Sequence, residues 1–246
     1  MEYFGIDIGG SGIKGAIVDV TSGQLMTERL RFETPNPASP QAVAEKVSEL
    51  VKQLNWQGPI GCGFPAVISN GVAKTAANID DSWIGTDVAA LLSGITGCPC
   101  SVVNDADAAG LAEMRFGCGK DRSGTVLIVT LGTGIGSALF YNGMLYPNSE
   151  LGHLRLKSGI AERYASAAIR KSEDLSWNSW AKRLNKFFSQ AERLFSPELI
   201  IIGGGVSRKH DKFFQYLSVQ AELLPAELKN NAGVIGAACR AAELQS

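Results

Sequence analysis

Short apolar runs broken by glycine open the chain. Tyr3–Ile8 is apolar and rich in β-forming residues, Gly9-Gly10-Ser11-Gly12 interrupts it, and Ile13–Val20 resumes the same character. That spacing predicts two strands joined by a glycine turn. Thr21-Ser22-Gly23 marks a second turn, and Leu25–Phe32 reads as a third strand. Pro35, Pro37 and Pro40 then fall in a loop, with Ser39 placed to cap a helix whose first position is Pro40. Here the period changes. Val43, Val47, Leu50, Val51 and Leu54 recur at helical spacing, which predicts an amphipathic helix over Gln41–Leu54. Pro59–Phe64 reads as the next strand, giving β-β-β-α-β.

Halfway along, the pattern restarts. Gly10-Ser11-Gly12-Ile13, with Ala16 three further on, matches Gly132-Thr133-Gly134-Ile135, with Ala138 three further on, at an offset of 122 residues in a chain of 246. Both copies lie between β-rich runs, and each is followed by a second turn, Ser22-Gly23 or Asn142-Gly143. Asn-Gly is a strong hairpin signal. Either two glycine turns coincide by chance or an α/β domain is duplicated. The period is too long for a solenoid, and duplication is the expectation. Helices are expected at Ala106–Phe116 (ended by Gly117), around Ile160–Lys171, at Ser176–Phe195 and at Gly233–Leu244, with a buried strand at Glu198–Ile202. The boundary is expected near Ala106–Gly119. Residues 1–110 would form a first lobe and 111–232 a second, with a C-terminal helix at about 233–246 able to pack back on the first. Two such lobes leave a cleft between them, and ligand sites favour domain interfaces.

Composition narrows the function classes. Lys and Arg number 23 against 24 Asp and Glu, which argues against a dedicated nucleic-acid binder with a basic surface. Glycine, 28 of 246 residues, exceeds ordinary usage, as expected of tight turns or of backbone approached closely by a ligand. No apolar stretch suits a leader peptide or a membrane span, so a soluble cytoplasmic protein is expected. Five cysteines (Cys62, Cys98, Cys100, Cys118, Cys239) without C-x-x-C spacing suggest buried, reduced thiols rather than a disulfide framework. The near-neutral total hides one basic segment. Between Arg155 and Arg193 there are nine basic and four acidic residues, either a solvated helical face or a track for a polyanion.

Three glycine-rich turns follow apolar strands: Gly9-Gly10-Ser11-Gly12, Gly132-Thr133-Gly134, and Gly203-Gly204-Gly205. Any one of them is satisfied by a plain hairpin; three together, two of them repeated, point to backbone amides that bind phosphate. Lys14 lies just beyond the first. No G-x-x-x-x-G-K-[ST] element is present, and Ala138–Tyr141 after the second turn reads as strand rather than helix, so neither a P-loop nor a Rossmann turn fits. Asn104-Asp105-Ala106-Asp107 stands between an apolar run and a helix. Capping would account for one of these residues, and a carboxylate at that strand end is also placed to take a proton from an attacking hydroxyl. Glu150-Leu151-Gly152-His153 and Asn78 are polar loop positions able to hydrogen-bond a polyol, or simply to face solvent.

Taken in order, Asp7–Lys14, Asn104–Ala109, Leu131–Gly136 and Glu150–His153 resemble the ROK family of sugar kinases, and the resemblance runs from residue 4 to about residue 240. Thr75–Thr86, Tyr146–His153 and Gly203–Lys212 are most similar to its polyphosphate glucokinase branch. The resemblance implies an actin-like fold of two RNase H-like lobes, with sugar and phosphoryl donor in the interdomain cleft. It implies that Asp105 is the general base for the sugar 6-hydroxyl, and that Asn78, Asn104, Asp105, Glu150 and His153 bind glucose. Asp7, Gly9, Gly10, Ser11, Gly12, Lys14, Gly132, Thr133 and Gly134 match its phosphate and Mg²⁺ region, with Asp7 as the metal-side residue. Gly203, Gly204 and Gly205 match the loop near a nucleotide. Many members carry a cysteine-rich zinc cluster after the Gly-His element; here the residues after His153 contain none, so no zinc is expected. Strand 1 starts too early for an added DNA-binding helix-turn-helix, and a homodimer is expected from the family alone. The donors implied are polyphosphate, ATP or both, giving glucose 6-phosphate. The alternatives are an ATP-only kinase for another hexose and a non-catalytic sugar sensor; the intact Asp105, Glu150 and His153 argue against the sensor.

Overall fold

The computed structural model describes residues 1–76 and 79–243. β1 (Glu2–Gly9) and β2 (Gly12–Asp19) form an antiparallel hairpin with Gly9 opposite Gly12 and Asp7 opposite Lys14. The single strand expected over Leu25–Phe32 is instead two pieces, β3 (Gln24–Leu25) and β4 (Leu30–Phe32), both paired with β2. Between them the Thr27 hydroxyl accepts the Ile17 amide at 3.1 Å, so a side chain takes a ladder position and the strand breaks.

α1 (Pro40–Gln53) begins as expected, with the Ser39 side chain accepting the Ala42 amide, and it buries Val43, Val47, Leu50 and Val51. β5 (Ile60–Phe64) runs parallel to β1. A small hairpin, β6 (Ile68–Ser69) and β7 (Val72–Ala73), precedes α2 (Val88–Thr96), and β8 (Cys100–Asn104) then pairs parallel with β5 and leads directly into α3 (Asp105–Phe116). The sheet order is β3-β2-β1-β5-β8, with β4 also on β2.

The second half repeats the plan. β9 (Thr125–Leu131) and β10 (Ile135–Tyr141) are an antiparallel hairpin extended by β11 (Met144–Tyr146). Asn142 and Gly143 both have positive φ, 49° and 78°, as the tight two-residue turn requires. β12 (Arg155–Leu156) and β13 (Gly159–Ile160) make a short ribbon. The helix expected around Ile160–Lys171 is two helices, α4 (Ala161–Ala165) and α5 (Ala167–Ser172). Ser166 breaks it: its backbone is extended, with ψ 162°, and its hydroxyl caps α5 by accepting the Ile169 amide. α6 (Trp177–Phe195) buries Trp180, Leu184, Phe187 and Phe188. β14 (Leu199–Gly203) lies parallel to β9, and β15 (Glu222–Pro225) parallel to β14. The order β11-β10-β9-β14-β15 matches that of the first sheet, an antiparallel meander continued by parallel strands.

The chain then returns. α7 (Ala232–Ala242) packs on the first sheet, against β1 and β5. The chain forms two compact units, one built from Met1–Ala112 plus the segment that starts at Asn231, the other from Glu113–Asn230. Buried Glu113 ties the ends of the second unit together, its carboxylate accepting the amides of Glu227 at 3.2 Å and Leu228 at 2.8 Å. Cys62, Cys98, Cys100 and Cys239 are buried free thiols, whereas Cys118 is only half-buried. Burial pushes the Cys100 thiol up to about 12, which leaves it unreactive at neutral pH. No helix among the described residues is long and apolar enough to cross a membrane.

Candidate active site

In the first unit, β8 ends and α3 starts at the Asn104–Asp105 step. The Asn104 side chain is buried and bonded to backbone on both its oxygen and its nitrogen. Its Oδ1 accepts the amides of Ala106 (2.9 Å) and Asp107 (3.1 Å), and its Nδ2 donates to the Ala66 carbonyl at 3.1 Å. Asn104 is therefore the helix cap. Asp105, the first helical residue, is half-buried, and its Oδ1 accepts the Ala106 amide at 2.8 Å.

The β1–β2 turn lies in the same unit. Lys14 Nζ bonds Asp7 Oδ2 at 2.7 Å, the pairing that their cross-strand register dictates. Two residues that sequence reasoning missed hold the turn. The Thr34 hydroxyl donates to the Gly9 carbonyl at 2.5 Å, and Arg31 Nη2 donates to the Ser11 carbonyl at 3.1 Å. They sit far from the motif, so only tertiary structure could reveal them. Among the described residues no group of three or more His, Cys, Asp or Glu side chains could hold a metal ion. Magnesium is often held by one carboxylate together with substrate phosphates, and Asp7, here ion-paired with Lys14, offers one such carboxylate.

The second unit carries the Glu150–His153 loop. Ser137 and Ser149 hydrogen-bond reciprocally, the Ser137 hydroxyl to the Ser149 carbonyl and the Ser149 hydroxyl to the Ser137 carbonyl; the Leu151 amide also donates to the Ser137 hydroxyl at 2.9 Å. A Cβ at Gly152 would lie 2.1 Å from the Ile135 carbonyl oxygen, so only glycine lets the loop approach β10 this closely. His153 stands between two carboxylates, with Nδ1 3.9 Å from Glu150 and Nε2 3.6 Å from Glu162. Glu162 was not a site candidate from sequence; it lies on α4, which packs against the Leu151–His153 segment.

Burial raises the Glu150 carboxyl above its ordinary 4.5; His153 opposes the rise and Glu162 adds to it. The native state thus keeps this proton to higher pH than the unfolded chain does. The stability it contributes is present below the ordinary value and is lost as pH rises through the raised one. The carboxylate accepts on both oxygens with full charge, whereas the protonated group keeps one carbonyl acceptor and becomes a donor, so KM for a polyol whose hydroxyls donate to Glu150 is expected to increase as pH falls towards the raised value. A Glu150→Gln variant should lose this acid dependence, and KM against pH for both proteins is the check.

The β9–β10 turn of the second unit opens onto a cavity of about 400 Å³. Gly132 and Thr133, Arg170 and Lys171 of α5, Trp177 of α6, and Gly205 and Lys209 after β14 line it. A Cβ at Gly132 would meet no protein atom within 4 Å, so its absence leaves room in the cavity rather than relieving a clash. Gly203 and Gly204 approach the site through the backbone without lining it, and Gly134 closes the turn by accepting the Gly132 amide at 3.1 Å. The basic segment divides here. Arg170 and Lys171 face the cavity, but Arg183 is spent on Glu173 (2.5 Å) and the Tyr164 carbonyl (3.0 Å), and Lys186 on the Tyr164 hydroxyl (2.9 Å). Asn78 lies outside the described residues.

A family model, the ROK family, matches residues 3–167. The polyphosphate glucokinase of Mycobacterium tuberculosis (strain CDC 1551 / Oshkosh) is 46% identical over 236 residues, 96% of this chain and 89% of that protein. The crystal structure of the inorganic polyphosphate/ATP-glucomannokinase from Arthrobacter sp. strain KM is 49% identical and superposes with a TM-score of 0.95, covering 100% of this chain and 99% of that one. A ROK family glucokinase from Streptomyces griseus, solved with glucose and AMPPNP, is 23% identical with a TM-score of 0.84 over 99% of this chain and all of its own, and shares the fold. The duplicated sheets are those of the actin-like sugar-kinase fold. With matching sequence, topology and motif positions, the chain belongs to the ROK family.

Proposed function

We propose that the protein is a glucokinase that transfers the terminal phosphoryl group of polyphosphate, and of ATP, to the 6-hydroxyl of glucose. The observation that carries this reading is the near-full-length identity to polyphosphate glucokinases, 46% over 96% of the chain. The cation-lined cavity beside the Gly132–Thr133 turn supports it, because phosphoryl transfer depends on positioning and charge neutralisation more than on covalent chemistry.

In this reading Asp105 accepts the proton of the sugar 6-hydroxyl as that oxygen attacks the terminal phosphorus. A new P–O6 bond forms, the bridging P–O bond of the donor breaks, and its electron pair leaves with the shortened donor. Glu150, His153 and Asn104 hydrogen-bond sugar hydroxyls, Asn104 also fixes the start of α3, and Asn78 is a further sugar contact. Lys14, the Gly9–Gly12 turn and the Gly132–Gly134 turn hold phosphate oxygens, and Gly203–Gly205 serves the ATP side. Mg²⁺, held on the protein side by Asp7, supplies positive charge to the donor oxygens. The free cysteines suit a reducing cytoplasm. A homodimer is carried by the family resemblance alone.

Purified protein is expected to form glucose 6-phosphate from glucose and Mg²⁺ with polyphosphate as sole donor, and with ATP as sole donor. Product from ATP but none from polyphosphate would reject the donor assignment. Mannose belongs in the same assay, since the Arthrobacter enzyme is named a glucomannokinase.

A further inference from the structure

We propose that the cavity at Arg170, Trp177 and Lys209 seats successive phosphates of a polyphosphate donor, and that Arg170 biases it towards that donor over a nucleoside triphosphate. The proposal rests on the kinase reading above and assigns to this cavity one part of its donor specificity.

Charge comes first. Arg170, Lys171 and Lys209 line the cavity, and no carboxylate does so among the described residues. Three cations without a counter-charge are costly to gather unless an anion joins them. Lys171 and Lys209 are exposed and can follow a flexible chain, whereas Arg170 is fixed. Its guanidinium carbon lies 3.9 Å from the centroid of the Trp177 ring, and its Nη1 donates to the Leu175 carbonyl at 3.3 Å. Its Nε is buried and has no hydrogen-bond partner among the described residues. Buried donors are nearly always paired, so the unpaired Nε leaves on this cavity-lining side chain a charge that an anion in the cavity would offset. A planar guanidinium whose orientation is already set suits a phosphate oxygen better than any other common side chain.

The aromatic contact carries the selectivity. A nucleotide base binds well where it finds an open ring face on which to stack. Trp177 is the aromatic residue lining this cavity, and Arg170 lies over its ring. The Trp177 ring is also stacked on Phe213, with centroids 6.0 Å apart and planes 14° apart. A donor with a base must therefore displace the guanidinium or place its base elsewhere. Polyphosphate has no base, and its repeated charge uses the same guanidinium as a ligand.

The test compares Arg170→Met and Lys209→Met with the unaltered protein. Two quantities are read: kcat/KM for polyphosphate of fixed length and for ATP, both at saturating glucose, and calorimetric affinity for inorganic polyphosphate at several salt concentrations. The polyphosphate-to-ATP ratio of kcat/KM should fall about tenfold or more in Arg170→Met and about threefold in Lys209→Met. Polyphosphate affinity should fall in step, with a shallower salt dependence. Lys209 is exposed, so its variant carries the test if the packed Arg170 variant does not fold. An equal loss with both donors, or an unmoved ratio, overturns the proposal. A parent protein that binds polyphosphate in an Arg170-dependent way but makes no glucose 6-phosphate sinks the kinase reading and leaves the subsite standing. Normal polyphosphate turnover in both variants sinks the subsite alone.

Discussion

Replacing Asp105 by Asn is expected to lower kcat by about 10²–10⁴-fold while glucose still binds, the range that a positioned general base supplies. The substitution is chosen for what it keeps. Asn retains an oxygen at the position where Asp105 Oδ1 accepts the Ala106 amide, and Asn104 continues to cap α3 through the amides of Ala106 and Asp107. The helix start should survive, so the loss can be read as chemistry rather than as unfolding. Steady-state rates with each donor, calorimetric titration with glucose and a denaturation curve separate these outcomes. A turnover within tenfold of the parent would remove Asp105 from the reaction.

A methyl group at Gly236 is expected to destabilise the first unit by about 3 kcal/mol or more, at or beyond the usual range for overpacking. Its Cβ would stand 1.6 Å from the Ala108 carbonyl oxygen. Gly61 meets the Ala237 carbonyl oxygen at the same 1.6 Å, and Gly5 meets that of Val234 at 1.9 Å. These obstacles are backbone atoms, which have no alternative rotamer, so α7 would have to move off the sheet. Ala108 lies one turn from Asp105 on α3, and Gly236→Ala should therefore cost activity along with stability. The contrast is Gly94, inside α2, where a Cβ meets nothing within 4 Å. Gly94→Ala should be neutral or stabilising by up to about 1 kcal/mol, since alanine is the better helix former. Chemical denaturation of both variants is the check, and equal midpoints would contradict this account of α7.

The elements readable from sequence were those whose signals are local. The β1–β2 and β9–β10 hairpins followed from glycine turns between apolar runs, α1 from Ser39, Pro40 and a clean helical period, and the β10–β11 turn from Asn142-Gly143. The interruptions were not readable. Thr27 and Ser166 each break an apolar or helical run by a side-chain bond to backbone, and nothing in the flanking pattern announces that the side chain will win. The site divides in the same way. Asn104 could be recognised as a capping residue, but its bond to the distant Ala66 carbonyl could not. Glu162 is one acid in a basic stretch of sequence, and its approach to His153 depends on how α4 packs against the Leu151–His153 segment. The charge count over Arg155–Arg193 was correct as arithmetic yet mixed two populations. Arg183 and Lys186 are tied to Glu173 and Tyr164, while Arg170 and Lys171 share a cavity with Lys209, a residue outside that segment.

The return of α7 to the first sheet has a consequence for how the polypeptide is made. β1, β5 and β8 are all translated by Asn104, yet the helix that covers one face of them begins only at Ala232. The first unit cannot be finished until α7 has emerged, whereas the second is complete once Leu228 has emerged to meet Glu113. Vectorial synthesis thus favours the later-encoded half reaching its native state first, and for that interval the nascent protein carries an uncovered sheet face of the kind that chaperones bind.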